Sequence, residues 1–157
     1  MIVVPDAGPL IYHSGAGQLD LLRALFARVV VPRIVHDEVV VAGAGLLGAA
    51  EVAAAAWIEV VDSAPALVLL RDLDPGEAAA IPLAQQLHAT LLCDDGDARA
   101  IARSRGLHVI GTLGVLVRGK RERRVERVGS LIERMRAPGL FVSDALVEEI
   151  LRDAGEA

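Results

Sequence analysis

Residues 90–111 read TLLCDDGDARAIARSRGLHVIG, and the alternation inside this stretch decides the fold class. Thr90–Cys93 is a short apolar run of strand type. Asp97–Gly106 carries apolar residues at helical spacing and ends on Gly106, a residue suited to the left-handed turn that closes a helix. Leu107–Gly111 is a second strand-like run. Strands that alternate with helices argue for a parallel sheet, whose neighbouring strands need such crossover connections.

The same alternation extends in both directions. Towards the N-terminus, "MIVV", "RVVV" and "WIEVV" read as strands, separated by helical patterns over "PLIYH", "LDLLRALF" and "PRIVHDEVVV". Pro9 and Pro32 sit where helices begin. "LDPGEAAAIPLAQQLHA" starts a further helix with Asp74, Pro75 and Glu77, and Pro82 inside it is expected to bend it by removing a backbone donor. From Thr112 onward the pattern is helical, broken near Gly129 and at Pro138-Gly139. The expected architecture is α/β, a central parallel sheet of about five strands covered by helices on both faces.

The 157 residues fit one domain, read as 1–157 with the helices from about residue 126 packed on it. With 54% hydrophobic residues and only Tyr12, Phe26, Trp57 and Phe141 as aromatics, the core must be built from Ala, Val, Leu and Ile. Charged residues interrupt every apolar run before the roughly 20 residues of a membrane span. The start "MIVVPD" lacks the form of a signal peptide. Cys93 is the single cysteine, which excludes an intrachain disulfide. A cytoplasmic protein is expected.

One segment pulls towards a different function. "VVVAGAGLLGAAEVAAAAWIEVVD", Val39–Asp62, holds Gly43, Gly45 and Gly48 in G-x-G-x-x-G spacing, with Asp62 nineteen residues after Gly43. A dinucleotide fingerprint has that form, but it requires a strand before the first glycine. If Pro32–Val41 is a helix, Gly43 terminates it, and the glycines form a mobile connection.

In open parallel sheets ligands bind beyond the carboxyl ends of the strands. Asp6 follows the first strand, and Asp94, Asp95 and Asp97 follow the fourth. Glu38 and Glu77 lie on helices that can join them. Carboxylates this close repel, by roughly 4 kcal/mol per pair at about 4 Å and an effective dielectric near 20. Such a cluster persists by holding protons or a cation, and hard oxygen ligands suit Mg²⁺ or Mn²⁺. Each acid also has a structural explanation: Asp74 and Glu77 match a capping box, while Asp6, Asp95 and Asp97 can cap helices. Caps, however, would scatter over both edges of the sheet.

The chain carries a net charge of −5, yet residues 118–136 hold eight of its sixteen basic residues against three acids. This segment is either a solvated helix face or a surface that tracks phosphates.

"VVPDAGPLI", "VVVPRIVHDEVV", "LDPGEAAAIPLA" and "LLCDDGDARAIARSRGLHVIGTLGVL", in that order, resemble the successive blocks of PIN-domain nucleases. The nearest branch is the short PIN-like proteins that resemble VapC-type toxins of toxin–antitoxin pairs. The resemblance runs from Ile2 to about Leu151 and implies a three-layer α/β/α fold. It implies Mg²⁺ or Mn²⁺ held by Asp6, Glu38, Glu77 and Asp95, with Asp94 and Asp97 as close alternatives. It also places Thr112 as a small hydroxyl near the metal site, and implies a homodimer with a small antitoxin as partner. The chain departs from the pattern at Glu77, where many members have Asp, and at "CDDGDA", which lacks the usual Thr and Phe.

The expected function is therefore Mg²⁺- or Mn²⁺-dependent endoribonuclease, the toxin of such a pair, with Arg118, Lys120, Arg121, Arg123 and Arg124 steering the RNA backbone. The competing reading is a non-catalytic PIN-like module that binds RNA or protein. A dinucleotide-binding protein is the third.

Overall fold

The computed structural model describes residues 1–157. Five strands, β1 (Ile2–Pro5), β2 (Arg28–Pro32), β3 (Ile58–Val61), β4 (Thr90–Leu92) and β5 (Val109–Ile110), form one sheet in the order β3-β2-β1-β4-β5. All pairs are parallel, with Val3 opposite Thr90 and Val29 opposite Ile58. The chain builds outward from β1 to β3, then returns to place β4 on the other side of β1. The switch point of the sheet thus lies between β1 and β4, where the strands' carboxyl ends carry Asp6 and Asp94.

Period-two alternation sends successive strand residues to opposite faces. Val3, Val29, Val31 and Leu92 enter one core, which is closed by α1 (Ala7–Gly15), α2 (Asp20–Leu25), α7 (Thr112–Arg121) and α8 (Val128–Arg136). Val4, Val30, Leu91 and Cys93 enter the other, covered by α5 (Pro75–Leu87) and α6 (Gly96–Ser104). The result is the expected three-layer α/β/α arrangement. Ala78, Ala79, Ala80 and Ala84 of α5 are all fully buried, so small side chains bring this helix close to the sheet. The last helix, α9 (Asp144–Asp153), lies against α7 and α8 with no buried residue of its own.

Two local features differ from the sequence reading for identifiable reasons. Pro82 does not interrupt α5. It cannot donate to the carbonyl of Ala78, and that oxygen instead accepts the amide of Ala66, at 3.0 Å. The helix expected over 33–41 is α3 (Arg33–Asp37) followed by a π-helical turn, Glu38–Ala42, closed by the Gly43 amide on the Glu38 carbonyl at 3.1 Å. Gly43 therefore follows a helix, and the strand that a dinucleotide fingerprint requires is absent. Gly48 has a different role, at φ 87° before α4 (Ala49–Ala54): a Cβ there would fall 2.8 Å from the Gly15 amide. It lets this turn lie directly on α1. A 3₁₀ turn, Leu67–Arg71, precedes α5.

No helix is long and apolar enough to cross a membrane.

Candidate metal centre

Asp6 occupies the N-cap position of α1, yet its side chain makes no capping hydrogen bond. It turns instead towards Glu77, on the first turn of α5, and Cys93, at the end of β4. One potential ligand atom from each of these three residues lies within 4.8 Å of the others. Glu77 is buried, and its Oε2 has no hydrogen-bond partner. An orphaned buried carboxylate oxygen is expensive and calls for an explanation.

The electrostatics follow from this crowding. Burial raises the Asp6 carboxyl to about 7; the Ala7 amide opposes the shift, and Asp74, Glu38 and Asp94 add to it. Burial also pushes Glu77 up to about 9, reinforced by Asp74, then Asp6 and Asp95. Glu38, on the π-helical turn, is raised by burial and by Asp74. The Cys93 thiol is raised by burial and by the same acids, so it stays protonated. Six carboxylates thus share one field. Gly76 lies between two of them: a Cβ there would be in ordinary contact, at 3.4 Å, with oxygens of both Asp6 and Asp74.

The acids divide by what else holds them. Asp74 caps α5, accepting the Glu77 amide at 2.8 Å, and Asp95 caps α6, accepting the Ala98 amide at 2.9 Å. The box is not reciprocal, because the Glu77 side chain points into the cluster and leaves its own cap. Asp94 accepts both the amide and the hydroxyl of buried Thr112, at 2.7 and 2.6 Å. Thr112 therefore positions Asp94 at the start of α7. Asp97 is exposed and contributes to none of the raised carboxyls. The structure does not bring it to the cluster.

Among these residues Asp6 and Glu77 fit a divalent cation best. They are hard oxygen donors facing each other, with one oxygen lacking any other partner and no cationic side chain paired to either. Glu38, Asp94 and Asp95 supply further negative charge around them.

The basic segment lies elsewhere. α7 begins beside Asp94 and runs ten residues, about 15 Å, towards the amino ends of the strands. There Arg118 donates to the Leu25 carbonyl at 2.8 Å and covers the Phe26 ring at 4.7 Å. Lys120 pairs with Glu156 at 2.8 Å, and Glu156 also accepts the Val128 and Gly129 amides. Both cations are thus engaged within the fold, whereas the sequence reading assigned them to a phosphate-tracking surface. Arg121, Arg123 and Arg124 are exposed, at the edge of the sheet opposite the acids.

Three residues escaped the sequence reading. Asp74 was seen only as a cap, although it raises three neighbouring carboxyls. Cys93 gave only a redox argument, although its position next to Asp94 pointed to the site. Tyr12, whose phenol is raised by burial and then by Asp94 and Asp6, lies six residues beyond Asp6, a spacing that marks no shared helical face, so the sequence carried no signal for it.

A family model described as PIN domain matches residues 2–156. A PilT N-terminus domain protein from the hyperthermophilic archaeon Sulfolobus solfataricus P2 has a similar structure, with a TM-score of 0.54 and 19% sequence identity. The likeness covers 75% of this chain and 92% of that one, and at this identity it speaks to the fold alone. No curated protein gives a significant match. With a parallel sheet in this order, carboxylates at its switch point and a family match over almost its whole length, the chain belongs to the PIN-domain family, a nuclease-type fold.

Proposed function

We propose that this protein is a divalent-metal-dependent endoribonuclease, with Mg²⁺ or Mn²⁺ as cofactor. The observation that carries the reading is the buried Glu77 side chain facing Asp6 at the switch point, with its Oε2 lacking any hydrogen-bond partner. In such a site a divalent cation supplies activation of a water and neutralisation of charge on the scissile phosphate. Asp6 and Glu77 are the ligands, and Glu38, Asp94 and Asp95 complete the negative field that draws the cation in. Thr112 keeps Asp94 fixed. Arg121, Arg123 and Arg124 attract the RNA backbone from the far edge. The biological role we propose is that of a toxin paired with a small antitoxin protein, acting as a homodimer.

The capping bonds of Asp95 and Asp74, and the Thr112 tie on Asp94, favour a second reading, in which the acids are structural and the domain only binds RNA or protein. Incubation of a mixed RNA pool with the protein separates the two. Cleavage that requires Mg²⁺ or Mn²⁺ and stops on chelation supports the nuclease. An intact pool in both metals supports the binding module.

A further inference from the structure

A cavity of about 560 Å³ opens beside Asp94, in the size range of small-molecule sites. It lies along β5, between α7 and the segment that leads into α9, and Asp94, Arg99, Gly111, Leu113, Phe141 and Val142 are among its lining residues. Its walls are mainly apolar. Phe141 is 92% exposed, whereas Phe26 is buried and Tyr12 and Trp57 pack against the core. The ring does not lie on a loose loop: Leu140 before it is buried, and the Ser143 hydroxyl accepts the Leu146 amide at 3.2 Å to start α9.

The cation on the wall is also held in place. Arg99 Nη1 donates to the Cys93 carbonyl at 2.9 Å, and a Cβ on Gly111 would stand 2.7 Å from that nitrogen. Glycine at this position leaves the space that the guanidinium occupies. No other hydrogen bond and no ion pair holds the guanidinium.

We propose that this cavity receives the nucleobase of one nucleotide flanking the scissile phosphate, stacked on Phe141 with Arg99 at its edge. The proposal rests on the nuclease reading above. Two observations select a base over other occupants. An aromatic face and a guanidinium together are what an unstacked base of a single strand binds, by stacking and by hydrogen bonds to its edge. An apolar partner helix would cover the guanidinium and offer no acceptor beyond the Cys93 carbonyl that it already has. Continuity gives the second: Asp94 lines the cavity and also adds to the field at Asp6, so the cavity opens beside the acid cluster.

The test uses labelled RNA pentamers, intact or abasic at one position at a time, with the parent chain, Phe141→Ala and Phe141→Tyr. Cleavage kinetics and fluorescence anisotropy are read on the same oligomers. For the parent, removing the base at one flanking position should raise KM or Kd on the order of tenfold, within what stacking of one base supplies. Phe141→Ala should bind intact and abasic pentamers alike, and Phe141→Tyr should restore the difference. Cleavage with unchanged base dependence in Phe141→Ala overturns the proposal and leaves the nuclease reading standing. Binding whose base dependence is lost in Phe141→Ala, without any cleavage, upholds the cavity assignment and removes the hydrolytic reading. Absence of both binding and cleavage overturns both. A change in self-association alone, seen by light scattering with RNA affinity unaltered, makes the cavity a protein interface and also overturns the proposal.

Discussion

Asp6 and Glu77 present carboxylate oxygens within 4.8 Å of each other, and no ion pair reaches either. Each is carried by a regular element, Asp6 directly after β1 and Glu77 in the first turn of α5, so the backbone brings the two carboxyls together at the switch point. Protons or a cation must neutralise the pair.

Without metal, stability should therefore fall as pH rises. Both groups have folded-state values above their ordinary ones, about 7 for Asp6 and about 9 for Glu77. Their contribution is fully present below the ordinary carboxylate range and is lost as pH rises through those folded values. For Asp6 alone the loss is on the order of 4 kcal/mol by linkage. Thermal melts in chelator from pH 5 to 9 should show Tm falling, and millimolar Mg²⁺ or Mn²⁺ should flatten the slope. A flat profile in chelator would contradict the cluster electrostatics.

Neutral isosteres should separate the ligands from the caps. At pH 8 Glu77 holds a proton in the folded chain that it loses on unfolding, and Glu77→Gln removes the cost of that uptake without removing a capping bond, so apo Tm should rise by about 2–4 °C for each kcal/mol recovered, while metal-dependent cleavage drops to background. Asp95→Asn keeps a side chain that caps as well as Asp and should leave Tm nearly unchanged; any loss of cleavage then reports its charge. Asp95→Ala should lower Tm through a lost cap of about 1 kcal/mol. Calorimetric melts of the three variants, with cleavage assays alongside, make the comparison. A destabilised Glu77→Gln would mean that its carboxylate is structural.

The arginines of the basic segment should behave as two groups. Arg118→Ala loses its bond to the Leu25 carbonyl and its contact with Phe26, and should destabilise by about 1–2 kcal/mol with an unaltered salt dependence of RNA binding. Replacing Arg121, Arg123 and Arg124 together should leave Tm in place and flatten the log–log salt slope by about 0.7 per lost contact. Filter binding across a salt series decides this. If the slope does not change, the three arginines are a solvated face.

His13 sets the acid limit. It is fully buried, neither ring nitrogen has a partner, and burial lowers its value to about 4. A base with a depressed folded value contributes stability above its ordinary value near 6.5, and that stability is lost as pH falls from there towards 4. The loss is about 3 kcal/mol. His13→Leu should remove this part of the acid sensitivity, as measured by urea unfolding at pH 7 and pH 4.5.

Titration with NAD or NADP should give no dissociation constant tighter than about 100 μM, roughly −5.5 kcal/mol, because Gly43 terminates a helix and follows no strand. Tighter binding by isothermal calorimetry would reopen the dinucleotide reading.

Much of this protein was decided locally. The valine runs at 3–4 and 29–31, the Asp74-Pro75 start of α5 and the glycine stop at Gly106 act through neighbours a few residues away. They fixed the order of strands and helices, and that order implies a parallel sheet with acids at its carboxyl edge. Whether a given acid is a cap or a ligand was not local. Asp74 and Glu77 look like a reciprocal capping box in the sequence, yet only one of them caps, because Asp6 and Cys93 arrive from β1 and β4 to make a site for the other. The basic segment shows the same limit. Charge composition marked Arg118 and Lys120 as surface cations, but α7 carries them away from the acids to Leu25 and Glu156. Helical periods and caps depend on near neighbours and are written along the chain; the partner of a side chain depends on where distant strands end, which only packing of the sheet decides.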